Sequence, residues 1–177
     1  LNRDDRRTIA AVRWEHDFDP NTTLRTQFVF DNRNINQPTG STAAIGVFPS
    51  INMSSDLTNR STLLGMRATT FMGAYYNSMD WMSDTVNVMP YGHAKLGQLT
   101  NRVYGETENA GVRFREEVDI TRQVTAVLGA NYEKSFLRGH QISYAYNTPN
   151  KPLATPSWVW MEREFENSAQ EADRKST

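Results

Sequence analysis

The sequence predicts an all-β protein: an antiparallel up-and-down transmembrane β-barrel segment, an incomplete barrel with long outer loops and short periplasmic turns. Three observations predict it. From Glu108 to Phe136 apolar and polar residues alternate along two runs joined by a polar turn at Thr121-Arg122-Gln123, the period of strands with unlike faces. Those runs are longer than the five or six residues usual in globular strands and reach the ~9–11 residues that a tilted membrane strand needs. Lastly, the chain has no apolar stretch near the ~20 residues of a membrane helix, and its mean hydropathy is -0.65. A barrel tolerates that average, because only alternate residues face lipid.

Taken in order, residues Leu1 to Arg7 are charged and read as the end of a loop. From Thr8 a strand begins, with Ala10, Val12, Trp14, His16 and Phe18 on one face and Ile9, Ala11, Arg13, Glu15 and Asp17 on the other. Asp19-Pro20-Asn21 has the composition of a turn, and Leu24 to Asn34 alternates again. Asn36 to Asn59 is rich in Gly, Pro, Ser, Thr and Asn and reads as loop. Leu63 to Tyr76 reads as a weaker, descending strand. Asn77 to Asn101 shows no clear period and suggests a turn near Ser83-Asp84. Gln98 to Gly105 begins the strand that reaches Ile120. On that strand Gly111, Arg113, Arg115, Glu117 and Asp119 share the polar face, while Glu116 falls among the apolar residues, through a bulge or a place near the headgroups. Beyond Phe136 a polar and aromatic loop is expected, and a descending strand starts at Trp158.

Of 177 residues 38% are hydrophobic, and the net charge is -1, so the chain carries no electrostatic footprint for nucleic acid. It has no cysteine, which excludes disulfides and zinc–thiolate sites. His16, His93 and His140 lack metal-ligand spacing. Asp17, Asp19 and Asn21 imitate the start of a calcium loop, but Thr22 and Phe28 stand where that loop needs Gly and Glu. No nucleophile elbow, phosphate loop or dinucleotide fingerprint occurs. The pattern therefore points to no catalytic residue, no cofactor and no protein-held metal. The alternating Arg13/Glu15, Arg25/Asp31 and Arg113/Glu117 sets imply a charge-laced interior wall on which neighbouring strands pair opposite signs. Trp14 and Phe18 are placed at an inner aromatic girdle, with His16 beside Trp14, and Tyr132 and Phe136 towards an outer one. The chain begins at Leu1 and stops in a polar run, the expectation for a piece of a longer protein.

The run VRWEHDFDPNTTLRTQFVFDNRNINQP (Val12 to Pro38) is similar to a barrel hairpin of TonB-dependent outer-membrane receptors of the siderophore type. ENAGVRFREEVDITRQVTAVLGANYEKS (Glu108 to Ser135) resembles a later hairpin of the same barrel. MEREFENSAQEA (Met161 to Ala172) resembles the following strand, with Gln170 where that pattern has Pro. The resemblance implies that residues 1–177 form part of a receptor barrel domain, without its plug domain, TonB box or terminal strand. It implies an outer-membrane location, contact with outer-membrane lipid, and a ferric siderophore or similar scarce nutrient as ligand, with energy supplied by the TonB complex. The barrel in such receptors has 22 strands, so the six to eight strands expected here leave two unpaired edges.

Aromatic and basic residues in the expected loops and upper strand ends are the candidate ligand contacts: Tyr91, His93, Arg102, Tyr104, Arg138, Tyr144, Tyr146 and Trp158. Ring faces and guanidinium groups together suit an anionic, aromatic chelate. A passive porin or channel, and a soluble secreted β-sandwich whose apolar faces form a core, are the alternative readings.

Overall fold

In the computed structural model, residues 3–89 and 95–146 are described in full, and residues 158–176 as a backbone strand. Seven strands form one antiparallel sheet in chain order. They are β1 (Asp4–Asp19), β2 (Thr22–Thr39), β3 (Thr42–Leu63), β4 (Met66–Val88), β5 (Leu96–Asp119), β6 (Thr125–Ala145) and β7 (Trp158–Ser176). Each strand pairs only with its neighbours in sequence. The longest, β5, has 24 residues, about 80 Å at the usual rise per residue.

One end of the sheet, the near end, carries the connections at 20–21, 64–65 and 120–124. The expected turn after Asp19 is there, held by the Asn21 N–H donating to the Asp19 carboxylate at 2.7 Å. That bond, first among its causes, holds the Asp19 pKa below its ordinary value. The same clasp closes two hairpins: Thr23 donates to Asp17 at 2.7 Å, and Thr125 to Asp119 at 2.8 Å. At Leu64 and Gly65 both residues have positive φ, 53° and 81°, as a two-residue hairpin turn with the right-handed strand twist requires.

Several expectations are corrected. Residues Asp4 to Arg7 belong to β1 and not to a loop. The expected loop from Asn36 to Asn59 is the end of β2, a tight turn at Gly40-Ser41 and most of β3. Pro49 survives inside β3 because the ladder towards β4 skips Phe48 and Pro49, so the missing N–H breaks no bond there. The strand expected from Leu63 starts at Met66 and ascends, since β3 is the descending strand before it. No turn occurs at Ser83-Asp84: β4 runs on to Val88. Residues His140 to Ala145 continue β6 rather than opening a loop. Glu116 sits opposite Thr70 and Leu128 in unbroken register, so no bulge brings it to the apolar face. Near β6–β7 the register shifts between Ser143 and Tyr144.

The sheet has no second layer among the described residues, and its buried hydrophobics are only Ala43, Ala68 and Val86. A β-sandwich needs two sheets closing on a core, so the sandwich reading fails. The large apolar side chains instead stand exposed: Val12, Trp14 and Phe18 on β1, Met53 on β3, Met72 on β4, Val112 on β5, Leu128 and Tyr132 on β6. By register all of these occupy one face of the sheet.

Candidate functional site

The opposite face is a wall of paired charges. Arg13 donates to Glu15 at 2.8 Å, and Arg25 reaches the same carboxylate at 3.0 Å. Asp31 pairs with Arg7, and Arg33 with Asp5 at 2.6 Å. Arg113 pairs with Asp56 at 2.6 Å, and Arg115 with Glu117 at 3.1 Å. The charge-laced wall is therefore as expected: Arg25 pairs with Glu15 on the neighbouring strand, while Arg113 reaches past β4 to Asp56 on β3. Of these pairs Arg25 and Glu15 are directly opposed across β1 and β2, whereas Arg13–Glu15 and Arg115–Glu117 lie along one strand.

Glycines shape that wall in a way the sequence reading missed. Asp56, Gly73 and Arg113 lie side by side on β3, β4 and β5. Arg113 lies across Gly73 to reach Asp56, and a Cβ at Gly73 would fall on the Asp56 carboxylate and 2.8 Å from Arg113 Nε. One row further, Tyr75, Gly111 and Glu133 repeat the device: the Tyr75 hydroxyl crosses β5 above Gly111 and donates to Glu133. At the far end the Trp81 ring lies over Gly105, itself opposite Gly139. Isolated glycines inside strands were the available signal, since they mark a close approach by another group. These saddles flatten the wall beside a groove of about 970 Å³ lined by Arg25, Asp56, Tyr75, Arg113 and Asn131 among others.

The expected ligand contacts gather towards the far end. Tyr91 and His93 lie outside the described residues, and Trp158 is placed only by backbone, opposite Ala145. Arg102 and Tyr104 on β5 and Arg138 on β6 share the face that bears the exposed apolar residues nearer the turns. Arg102 is gripped by both oxygens of Asp84, each at 2.7 Å, and this hydrogen-bonded carboxylate raises its pKa further. Arg138 pairs with Glu106 at 2.5 Å and approaches Glu108 at 4.0 Å. Tyr104 and His140 meet ring to ring at 5.1 Å, with the hydroxyl 3.1 Å from Nδ1. Arg138, Tyr104 and His140 line a groove of about 1090 Å³ with Asp80, Met82 and Glu106. Tyr146 donates to the Leu99 carbonyl at 2.6 Å, and burial is the main cause that lifts its phenol pKa. On the other face of the same end, Asn101 accepts from Gln141 at 3.0 Å and Ser143 at 3.1 Å.

At the near end, His16 stands between Trp14, stacked at 5.5 Å, and Phe18, edge-on at 4.7 Å. The expected neighbourhood of His16 and Trp14 is thus observed.

No protein-family model matches the chain, and no curated protein sequence matches it. Solved structures do. The ferric-catecholate import receptor Fiu from E. coli K12 in its open form superposes with a TM-score of 0.63 at 15% identity, over 96% of this chain and 32% of the receptor. The closed form of the same receptor gives 0.58 at 14% identity, over 99% of this chain and 30% of the receptor. The chain therefore has the fold of a segment of that import receptor. The chain spans about a third of the length of the receptor structures it matches.

Proposed function

We propose that residues 1–177 are part of the barrel domain of an outer-membrane receptor for TonB-dependent uptake of a ferric siderophore or similar scarce nutrient. The observation that carries this is a single up-and-down sheet whose near half exposes Val12, Trp14, Met72, Val112, Leu128 and Tyr132 on one face and sets the Arg13–Glu15, Arg25–Glu15 and Arg113–Asp56 ion pairs on the other. Water on both sides would penalise the first face, and hydrocarbon would penalise the second. A wall between lipid and a water-filled lumen suits both, and the likeness to an import receptor supports it.

In this reading the apolar face meets outer-membrane lipid, the ion-paired face lines the lumen, and the near end is periplasmic. The fold neighbours are named as import receptors, and we assign the chain no catalytic step. Arg102, Tyr104 and Arg138 stand at the far end on the outward side of this wall, so ligand contact by them falls at the outer rim and not in the lumen. Arg102 and Arg138 are already held by carboxylates, so an anionic chelate gains from them only by displacing Asp84 or Glu106. Tyr104, Tyr144 and Tyr146 would supply ring faces.

The test is uptake of a radiolabelled ferric catecholate by cells that produce the native protein, with and without collapse of the proton-motive force. Uptake that stops on collapse supports a TonB-dependent receptor. Uptake that persists supports the passive channel, and a protein that is monodisperse in water without detergent ends both readings.

A further inference from the structure

The far-end groove between β3 and β6 carries more negative charge than its own cation meets. Two adjacent rows of side chains form it. Val47, Met82, Tyr104 and His140 stand opposite one another across β3, β4, β5 and β6, and Asp80, Glu106 and Arg138 form the next row across β4, β5 and β6. The space they enclose is about 1090 Å³, with Gly105 and Gly139 also in its lining. Arg138 is held by Glu106 at 2.5 Å. Asp80, directly opposite Glu106 on β4, has no ion-pair or hydrogen-bond partner among the described residues. Like charges so opposed repel across about 5 Å. A cation seated between them offsets that repulsion, and an anion adds to it. Register continues the acidic run on β7, where Glu164 falls opposite His140 and Glu166 opposite Arg138.

The other row is apolar and aromatic. Met82 is 46% and Tyr104 41% exposed, and the Tyr104 ring is tilted against His140 at 5.1 Å. A thioether and a phenol face attract the body of an organic cation, and the ring quadrupole attracts its charge as well. A metal ion would use neither. The groove is far larger than an ion, and no three metal-ligating side chains gather among the described residues.

We propose that this groove binds a small organic ammonium ion with an apolar or aromatic body, its charge between Asp80 and Glu106 and its body on Met82 and Tyr104. Arg138 lies beyond Glu106 and neutralises part of it, so Asp80 carries the selectivity. The site goes beyond the uptake reading and does not rest on it. Along β5 Tyr104 lies about 26 Å from Val112, or about 19 Å in depth at a 45° tilt. That is past the ~15 Å half-thickness of hydrocarbon, so the groove meets water with or without a membrane.

The experiment follows the Met82 methyl resonance of the native protein, folded in detergent with methyl-labelled methionine and assigned through Met82→Leu. Phenethylammonium should shift it saturably, and phenylpropionate, its anionic counterpart, should leave it in place. Met53 and Met72, on the same face nearer the turns, report uptake into detergent and should not move. Asp80→Asn should weaken phenethylammonium about fivefold, and Tyr104→Leu should erase its advantage over butylammonium. Equal shifts from the anion, unchanged affinity in Asp80→Asn, an intact ring preference in Tyr104→Leu, or matching shifts at Met53 and Met72 each overturn the site. So does calcium that displaces phenethylammonium at equal concentration, which would give the carboxylates to a metal ion. Uptake of the ferric catecholate is read in a separate assay, so either reading can fail alone.

Discussion

The near and far halves of the sheet are built from the same strands yet obey different rules. Near the tight turns, β4 to β6 place Met72, Ala74, Val112, Phe114, Leu128 and Tyr132 on one face and Gly73, Tyr75, Arg113 and Asn131 on the other. Towards the far end the face that bore the apolar residues carries Asp80 and the ion pairs Arg102–Asp84 and Arg138–Glu106 instead. A period of two in hydropathy records a difference between two solvents, and not the strand itself. On the proposed membrane-wall reading, the alternation is sharp where hydrocarbon lies on one side and water on the other. Where water lies on both sides, the strand continues and the signal vanishes.

This contrast can be broken by moving one charge along one face. Val112→Arg or Leu128→Arg in the native protein should cost about 2–4 kcal/mol at mid-bilayer depth, seen as loss of the heat-modifiable folded band after refolding into lipid. Arg113→Val, on the opposite face at the same level, should be clearly milder. Equal damage from both would reverse the assignment of the faces. Tyr104→Arg, on the apolar-bearing face but in the far half, should change refolding by no more than about 0.5 kcal/mol, and a loss as large as that of Val112→Arg would carry the hydrocarbon past Glu106.

The saddles offer a smaller effect that does not depend on depth. Gly73→Val should cost about 1–3 kcal/mol through overpacking against Arg113 and Asp56, measured as a shift in the urea midpoint in detergent. Gly129→Ala is its control, because a Cβ there meets nothing nearer than 3.6 Å. Leu64→Gly should stabilise the near-end turn by about 1 kcal/mol, since a leucine held at φ 53° is strained where glycine is not. The smallest effect is Asp19→Ala. Because the folded pKa of Asp19 lies below 3.8, its contribution is present above that value and is lost as pH falls through the folded pKa. Wild type and variant should therefore differ at neutral pH and converge in strong acid.

The same contrast explains what was legible in the sequence. The hairpin from Glu108 to Phe136 and the turn at Asp19 were readable because both lie in the half with unlike faces. Asn36 to Asn59 read as loop since Pro38, Gly40, Gly46 and Pro49 punctuate it, yet Pro49 merely faces a gap in one ladder. The stretch from Ser83 and the residues His140 to Ala145 were missed because their two faces are alike in polarity. At the candidate site, Tyr104 and Arg138 were found by residue type, whereas their partners Glu106 and His140 came from pairing that only the register reveals. The Arg113–Asp56 bridge spans three strands, and no local pattern encodes it.

Among the described residues every strand pairs only with its neighbours in the chain, so the wall is modular. Removing or duplicating a hairpin would leave the remaining registers and strand directions intact, whereas removing one strand would invert every strand after it. The width of such a sheet can thus change two strands at a time, and the chain can zip up from consecutive hairpins without long-range searches.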